Sequence, residues 1–326
     1  METTDQQLTI SADNHLIAEN SASVNAFLKS AISENTRRAY RSDWEGFVEW
    51  CSKVSVRAMP ATGQNVAIYL SRLAESGDYK ATTITRKAIA IGQAHNALDM
   101  ESPTKTRVVR TVLRGIRREL GIEPEKARPT LVHDIRNMAD WISDNYDLEV
   151  LAERDRALLL LGFSGAFRRS ELVGLNVEDL EFVEKGMIVR LHGSKTDQEK
   201  RGEAKGIPLA TPRWCPVLAV ANWIDSSART EGPLFVAMDR WGNIKEQRLC
   251  DRTVARIVKK AAKGIGKDPK RYSGHSLRSG LATAAAAAGK SERSIMRQTG
   301  HRSVLTVREY IREGHLFRGN AAEGLL

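Results

Sequence analysis

Four separated segments of this chain carry side chains that could grip a phosphate group and help break a bond to it. In SGAFRRSEL, residues 164–172, Arg168 and Arg169 stand together with Glu171 three positions after Arg168. Alone, such a trio is most often a surface ion pair. In LHGSKTDQEKRG, residues 191–202, Lys195 falls at the tip of an expected hairpin, where a flexible ammonium could reach a leaving oxygen as a general acid. Most loop lysines are simply solvated. In YSGHSLRSG, residues 272–280, His275 and Arg278 are three apart and share the first turn of a helix that Gly274 precedes. Free N–H groups and the helix dipole favour an anion there, and an arginine in that turn opposes the dipole unless an anion is present. In TGHRSVLTVREYIRE, residues 299–313, Tyr310 stands nine positions after His301, at the rim of an apolar face made by Val304, Val307 and Ile311. Most tyrosines so placed are packing residues with the hydroxyl in water.

The elements that must position these groups can be read from periodicity. Residues 1–21 are polar and read as a flexible N-terminal segment, and residues 22–120 read as a helical domain with little strand character. Ser33 can cap a helix bearing Tyr40, Trp44, Phe47 and Val48, Thr62 one bearing Val66, Ile68, Leu70 and Leu73, and Thr82 can open a third through Ala97. Pro103 suits the first turn of a helix to Leu120 whose inner face is Val109, Val112, Leu113, Ile116 and Leu120. The opposite arc, roughly 100° wide, collects Arg107, Arg110, Arg114, Arg117 and Arg118 without the glutamates that normally pair such a face. Residues 121–130, GIEPEKARPT, read as a linker. A second domain from residue 131 opens with helices through Trp141 and from Glu153 to Phe163, turns to short strands at Met187–Leu191 and Ile207–Leu209, and returns to helix.

The chain has 326 residues, 50 Lys+Arg against 40 Asp+Glu, a formal net charge of +10 and a pI near 9.6. The excess is local. Residues 104–118 hold six basic residues and no acid, and residues 263–312 hold eleven against three. Such stretches suit a polyanionic partner, and the arginine arc suits phosphate contact. Three widely separated cysteines, Cys51, Cys215 and Cys250, indicate neither a disulfide framework nor a zinc site. A reducing, cytoplasmic compartment is the expectation, and the lack of a long apolar run argues against export and membrane insertion.

Taken together and in this order, R-x-S-E-L, a hairpin Lys, H-S-L-R, G-H-x-S and a Tyr resemble the tyrosine recombinase (phage integrase) family. The match runs through Arg168, Lys195, His275, Arg278, His301 and Tyr310 and spans the second domain, while the helical first domain is similar to the family's core-binding domain. The first motif reads SGAFR where the family often has TGLR, and His301 stands where some members have Trp; neither change removes a catalytic group. The resemblance implies a mainly α fold, with a helical core-binding domain and a mostly helical catalytic domain carrying a small antiparallel sheet. It implies site-specific cutting and rejoining of DNA through a 3′-phosphotyrosyl link and a free 5′ hydroxyl, without metal, ATP or other cofactor. Arg168 and Arg278 would clamp the phosphate, Tyr310 attack, Lys195 protonate the 5′ oxygen, His275 manage the tyrosine proton and His301 hydrogen-bond the phosphate, with Glu171 orienting. Arg107, Arg110, Arg114, Arg117 and Arg118, with Arg37, Arg41 and Arg86, are the candidate DNA contacts.

Two rivals stand against that implication. A type IB topoisomerase shares the Arg, Lys, Arg, His, Tyr set, but the S-E-L and G-H-x-S contexts and the small first domain disfavour it. A non-enzymatic DNA-binding protein would be expected to have lost a catalytic residue, and none is lost. The resemblance also implies double-stranded DNA with two half-sites per dimer, a homotetramer on synapsed DNA and a monomer in free solution. The apolar tail at residues 315–326, with Leu316, Phe317, Leu325 and Leu326, is the candidate link between neighbours.

Overall fold

A computed structural model describes residues 34–121, 127–192 and 202–314. The chain divides into two compact units, residues 1–124 and 125–326. Among the described residues of the first unit lie four α-helices: α1 (Glu34–Lys53), α2 (Gly63–Glu75), α3 (Ala81–Asn96) and α4 (Arg107–Leu120). Thr62 caps α2 by accepting the Asn65 N–H at 3.1 Å, as its type and position suggest. Ser33 lies outside the described residues, and α3 starts one residue before Thr82, with Lys80 as its N-cap. Pro103 opens not α4 but a separate 3₁₀ turn, Pro103–Lys105; the extended Thr106 follows it and gives its hydroxyl proton to the Pro103 carbonyl at 2.8 Å, so α4 begins only at Arg107. Val109, Leu113 and Ile116 are buried beside Phe47, Leu70, Ile84 and Ile91, each such side chain contributing about 1.5–3 kcal/mol. Leu120, expected inside, is exposed because the helix runs past the end of this core.

The second unit is built around a helix whose C-terminal half has no polar face. In α6 (Glu149–Ser164) the run Leu158–Leu161 is wholly buried, because α5 (Val132–Asn145), α8 (Pro216–Ser227) and α10 (His275–Ala287) pack around it. A three-stranded antiparallel sheet, β1 (Leu180–Val183), β2 (Gly186–Leu191) and β3 (Glu203–Pro208), follows the short α7 (Arg169–Gly174). Met187 pairs with Ile207 and Leu191 with Glu203, so the described β2–β3 ladder ends at the Leu191–Glu203 pair. A second hairpin, β4 (Val236–Met238) and β5 (Ile244–Arg248), precedes α9 (Asp251–Gly264). The chain continues from α10 into α11 (Glu292–Thr299), ended by Gly300 in the left-handed conformation, and α12 (Val304–Gly314). The mainly helical class with a small antiparallel sheet is the one the resemblance implies.

The end of the expected linker belongs to this second unit. The Arg128 N–H donates to the Arg271 carbonyl at 2.7 Å and the Thr130 N–H to that of Ser276 at 2.9 Å, with Thr130 fully buried. Among the described residues no helix is long and apolar enough to cross a membrane.

Candidate active site

The site assembles at the C-terminal end of α6. The helix ends in a Schellman arrangement: the Ala166 N–H donates to the Phe163 carbonyl at 3.0 Å and the Phe167 N–H to that of Gly162 at 3.3 Å. The left-handed residue is Ala166, with φ 47°, and not Gly165 before it. Such a conformation costs a residue bearing a Cβ about 1–2 kcal/mol. Gly165 is required for another reason, since a Cβ there would lie 2.0 Å from the Phe167 ring. This turn delivers Arg168, extended at φ −68° and ψ 153°, as the N-cap of α7. Its N–H donates to Glu171 Oε2 at 2.9 Å and its guanidinium pairs with Glu171 Oε1. Glu171 is buried, so the pair is an interior brace for a half-buried arginine and not a surface ion pair.

Arg278 rises from the first turn of α10 and is almost wholly buried, 1% exposed. Its Nη1 donates to the Ala166 carbonyl at 2.8 Å, and its Nη2 finds no hydrogen-bond partner among the described residues. Desolvation, with Arg168 close by, pulls its pKa down to about 10. The start of α10 is locked to α7 as well. Gly274, its N-cap, lets the Arg169 stem lie where a Cβ would come within 2.4 Å of it.

His275 Nε2 lies 3.1 Å from the Tyr310 hydroxyl. Loss of water around the ring and the guanidiniums of Arg278, Arg168 and Arg169 hold this imidazole below its ordinary pKa, so it is neutral near pH 7. With its proton on Nδ1, it accepts from the phenol. Tyr310 is half-buried on α12, packed with Ala282, Ala286, Ile295 and Val307, and its ring centroid is 5.7 Å from that of His301. His301 Nδ1 lies 2.8 Å from Thr299 Oγ1, whose own proton goes to the Ile295 carbonyl at 2.7 Å. The threonine hydroxyl therefore accepts from Nδ1–H and leaves Nε2 bare. Desolvation and the Arg278 and Arg168 charges bring the His301 pKa to about 4.

Arg168, Glu171, His275, Arg278, His301 and Tyr310 are thus brought together from α7, α10, α12 and the loop before α12. Lys195 lies outside the described residues. Lys205 on β3 also lies at the site: it is 3% exposed, donates to the Gly165 carbonyl at 3.0 Å and sits 4.9 Å from the Phe167 ring centroid. Its place two residues from buried Ile207 on an alternating strand was the available signal. Tyr272, the other tyrosine near these motifs, is buried in the core with its pKa raised by desolvation, and is no substitute for Tyr310.

In the first unit, Arg107, Arg110, Arg114, Arg117 and Arg118 are all exposed along α4. Arg41 is exposed, and Arg37 pairs with Glu34 at 3.3 Å. Arg86 already serves the fold, bonding buried Asp43 through Nε at 2.8 Å and Nη2 at 3.2 Å.

The comparisons with known proteins agree with this geometry. The profile of the Phage integrase family matches residues 137–315, and that of the Phage integrase, N-terminal SAM-like domain matches residues 26–101. The chain is 39% identical over 299 residues to an integrase/recombinase xerD homolog of Selenomonas ruminantium, covering 90% of this chain and 86% of that one. It is 24% identical over 299 residues to the recombinase Cre of Escherichia phage P1, covering 87% and 85%. The fold is similar to that of the XerH site-specific recombinase bound to a palindromic difH substrate, with a TM-score of 0.63 at 16% identity over 84% of this chain and 75% of that one. Fold, motif order and sequence similarity converge: this chain belongs to the phage integrase family.

Proposed function

We propose that the protein is a site-specific DNA recombinase that cuts and rejoins strands through a phosphotyrosine on Tyr310. The observation that supports this most is the buried Arg278, whose Nη2–H groups find no partner among the described residues beside the Tyr310–His275 pair. An N–H held dry without an acceptor costs about 1–3 kcal/mol, and a phosphate oxygen would satisfy it. Tyr310 attacks the phosphorus while His275 takes the phenol proton, and Arg278 and Arg168 stabilise charge on the non-bridging oxygens. The bond to the 5′ oxygen breaks and Lys195 supplies that oxygen's proton. The 3′-phosphotyrosine keeps the bond energy, so rejoining needs neither ATP nor a metal. His301 can donate to the phosphate once it takes a second proton on Nε2 or once the Thr299 hydroxyl turns. The first unit grips double-stranded DNA through the arginines of α4, with Arg37 and Arg41 in support. A dimer fills two half-sites and a tetramer joins two duplexes, each tail at residues 315–326 docking on a neighbour, in the cytoplasm with the DNA.

The test begins with target DNA recovered by sequencing covalent adducts trapped in cells. On a nicked suicide substrate of that sequence, the wild type should form a detergent-resistant adduct and Tyr310→Phe none, with half-site binding retained. An adduct from Tyr310→Phe contradicts the proposal. Lys195→Ala should slow cleavage on oxygen substrates and recover on a 5′-phosphorothiolate, whose sulfur leaves without a general acid.

A further inference from the structure

Beyond the Schellman bonds, α6 leaves three consecutive carbonyls, Ser164, Gly165 and Ala166, facing away from their own helix. Each is taken by a side chain from a different element. Gln298 Nε2 on α11 donates to Ser164 O at 2.8 Å, Lys205 Nζ on β3 to Gly165 O at 3.0 Å, and Arg278 Nη1 on α10 to Ala166 O at 2.8 Å. The second N–H of Gln298 reaches the Gly206 carbonyl on β3 at 3.2 Å, and two carbonyl acceptors fix which way the amide points. The negative end of the α6 dipole makes this a favourable place for the two buried cations. The pattern matters because the turn so held, with its strained Ala166, leads directly into Arg168. The same bonds tie that turn to β3, which comes after Lys195 in the chain, and to α11, which leads into His301.

We propose that Lys205 and Gln298 are positioning residues for DNA cleavage, clamping the turn at residues 164–166 so that Arg168 and Arg278 are held at the spacing a phosphate requires. This rests on the recombinase reading above. In this reading Lys205 acts through the turn and not on the phosphate, since its ammonium donates to Gly165 O and lies against the Phe167 ring. Displacing a catalytic group by about 1 Å is enough to cost on the order of 100-fold in rate.

The experiment compares wild type, Lys205→Met and Gln298→Leu on the suicide substrate, measuring half-site affinity, the rate of adduct formation and the unfolding midpoint. Lys205→Met keeps the stem against Phe167 and removes the donor. It should leave half-site affinity within about twofold while adduct formation falls about 100-fold, and a 5′-phosphorothiolate should not restore the rate. An unchanged rate overturns the proposal, and so does phosphorothiolate rescue, which would make Lys205 the general acid. If Lys205→Met does not fold, Gln298→Leu decides, because Gln298 is only half-buried: a fall of about tenfold with intact half-site binding supports the clamp, and an unchanged rate overturns it. Absence of adduct from the wild type refutes the recombinase reading itself, a result distinct from either variant's failure.

Discussion

Positive charge is treated in opposite ways in the first unit and at the site of the second, whose interior elsewhere pairs Arg154 with Asp155 at 2.7 Å. In the first, cations are either exposed, as along α4, or neutralised where they are buried: Asp43, 2% exposed, receives both Arg86 and Lys87, the latter at 3.2 Å. In the second, Arg278 and Lys205 are both buried and donate to carbonyls, Glu171 and Glu203 act on both charges, and one guanidinium nitrogen of Arg278 lacks a partner among the described residues. A satisfied network is scaffold. One left short of acceptors in a dry place, beside a nucleophile and a second arginine as here, suits an anion that is not part of the chain. The exposed comb on α4 can bind phosphates but sits in water, where each contact is weak and screened by salt. The buried pair can stabilise charge that develops in a transition state.

Exchanging the two treatments should separate chemistry from folding. Arg278→Met should lower adduct formation by about 10²–10³-fold with only a small change in the unfolding midpoint, since losing the Nη1 bond to Ala166 O is offset by removing a buried nitrogen that lacks a partner among the described residues. A large loss of stability with a small loss of rate would make Arg278 scaffold. Asp43→Ala should do the reverse, leaving Lys87 buried without its carboxylate and costing about 3 kcal/mol of folding free energy in denaturant titration. Cleavage per folded molecule should be unchanged. Neutralising Arg107, Arg110, Arg114 and Arg117 together should weaken DNA binding and flatten the dependence of log affinity on log salt by up to about 3–4, as fewer counterions are released. An unchanged slope would mean this face meets no DNA. The smallest effect is on pH. Because His275 acts neutral and its pKa is held below 6.5, adduct formation should persist as pH falls to 6.5 and decline only below it. A decline centred above 6.5 would remove His275 as the acceptor of the tyrosine proton.

Much of this was legible in the chain. Thr62 as a cap, the buried face of α4 and the first-turn pairing of His275 with Arg278 are local features, set by residues three or four apart. So were the motif residues now found together, because each occupies a helix terminus or a loop that Gly or a cap marks. What was not legible acts over long separations or through backbone atoms. Lys205 and Gln298 recognise carbonyls 40 and 134 residues away, and a carbonyl has no residue type to read. Ala166 in the left-handed region hides behind Gly165, the residue that composition marks as the helix breaker. Strands β1 and β5 went unforeseen because their faces are mostly exposed and their sequences, LEFV and IKEQR, lack sustained alternation, and β4 because its three residues are too few to show a period. The loss of Arg86 to Asp43, 43 positions away, follows from tertiary packing alone.

The central claim is that Tyr310 becomes joined to a DNA 3′ end. Digesting a trapped adduct with protease and nuclease and sequencing the nucleotide-bearing peptide by mass spectrometry tests it directly. The expected product is a nucleotide linked by its 3′ phosphate to Tyr310, with a free 5′ hydroxyl on the released strand. A nucleotide on any other residue, or a link through a 5′ phosphate, would contradict it.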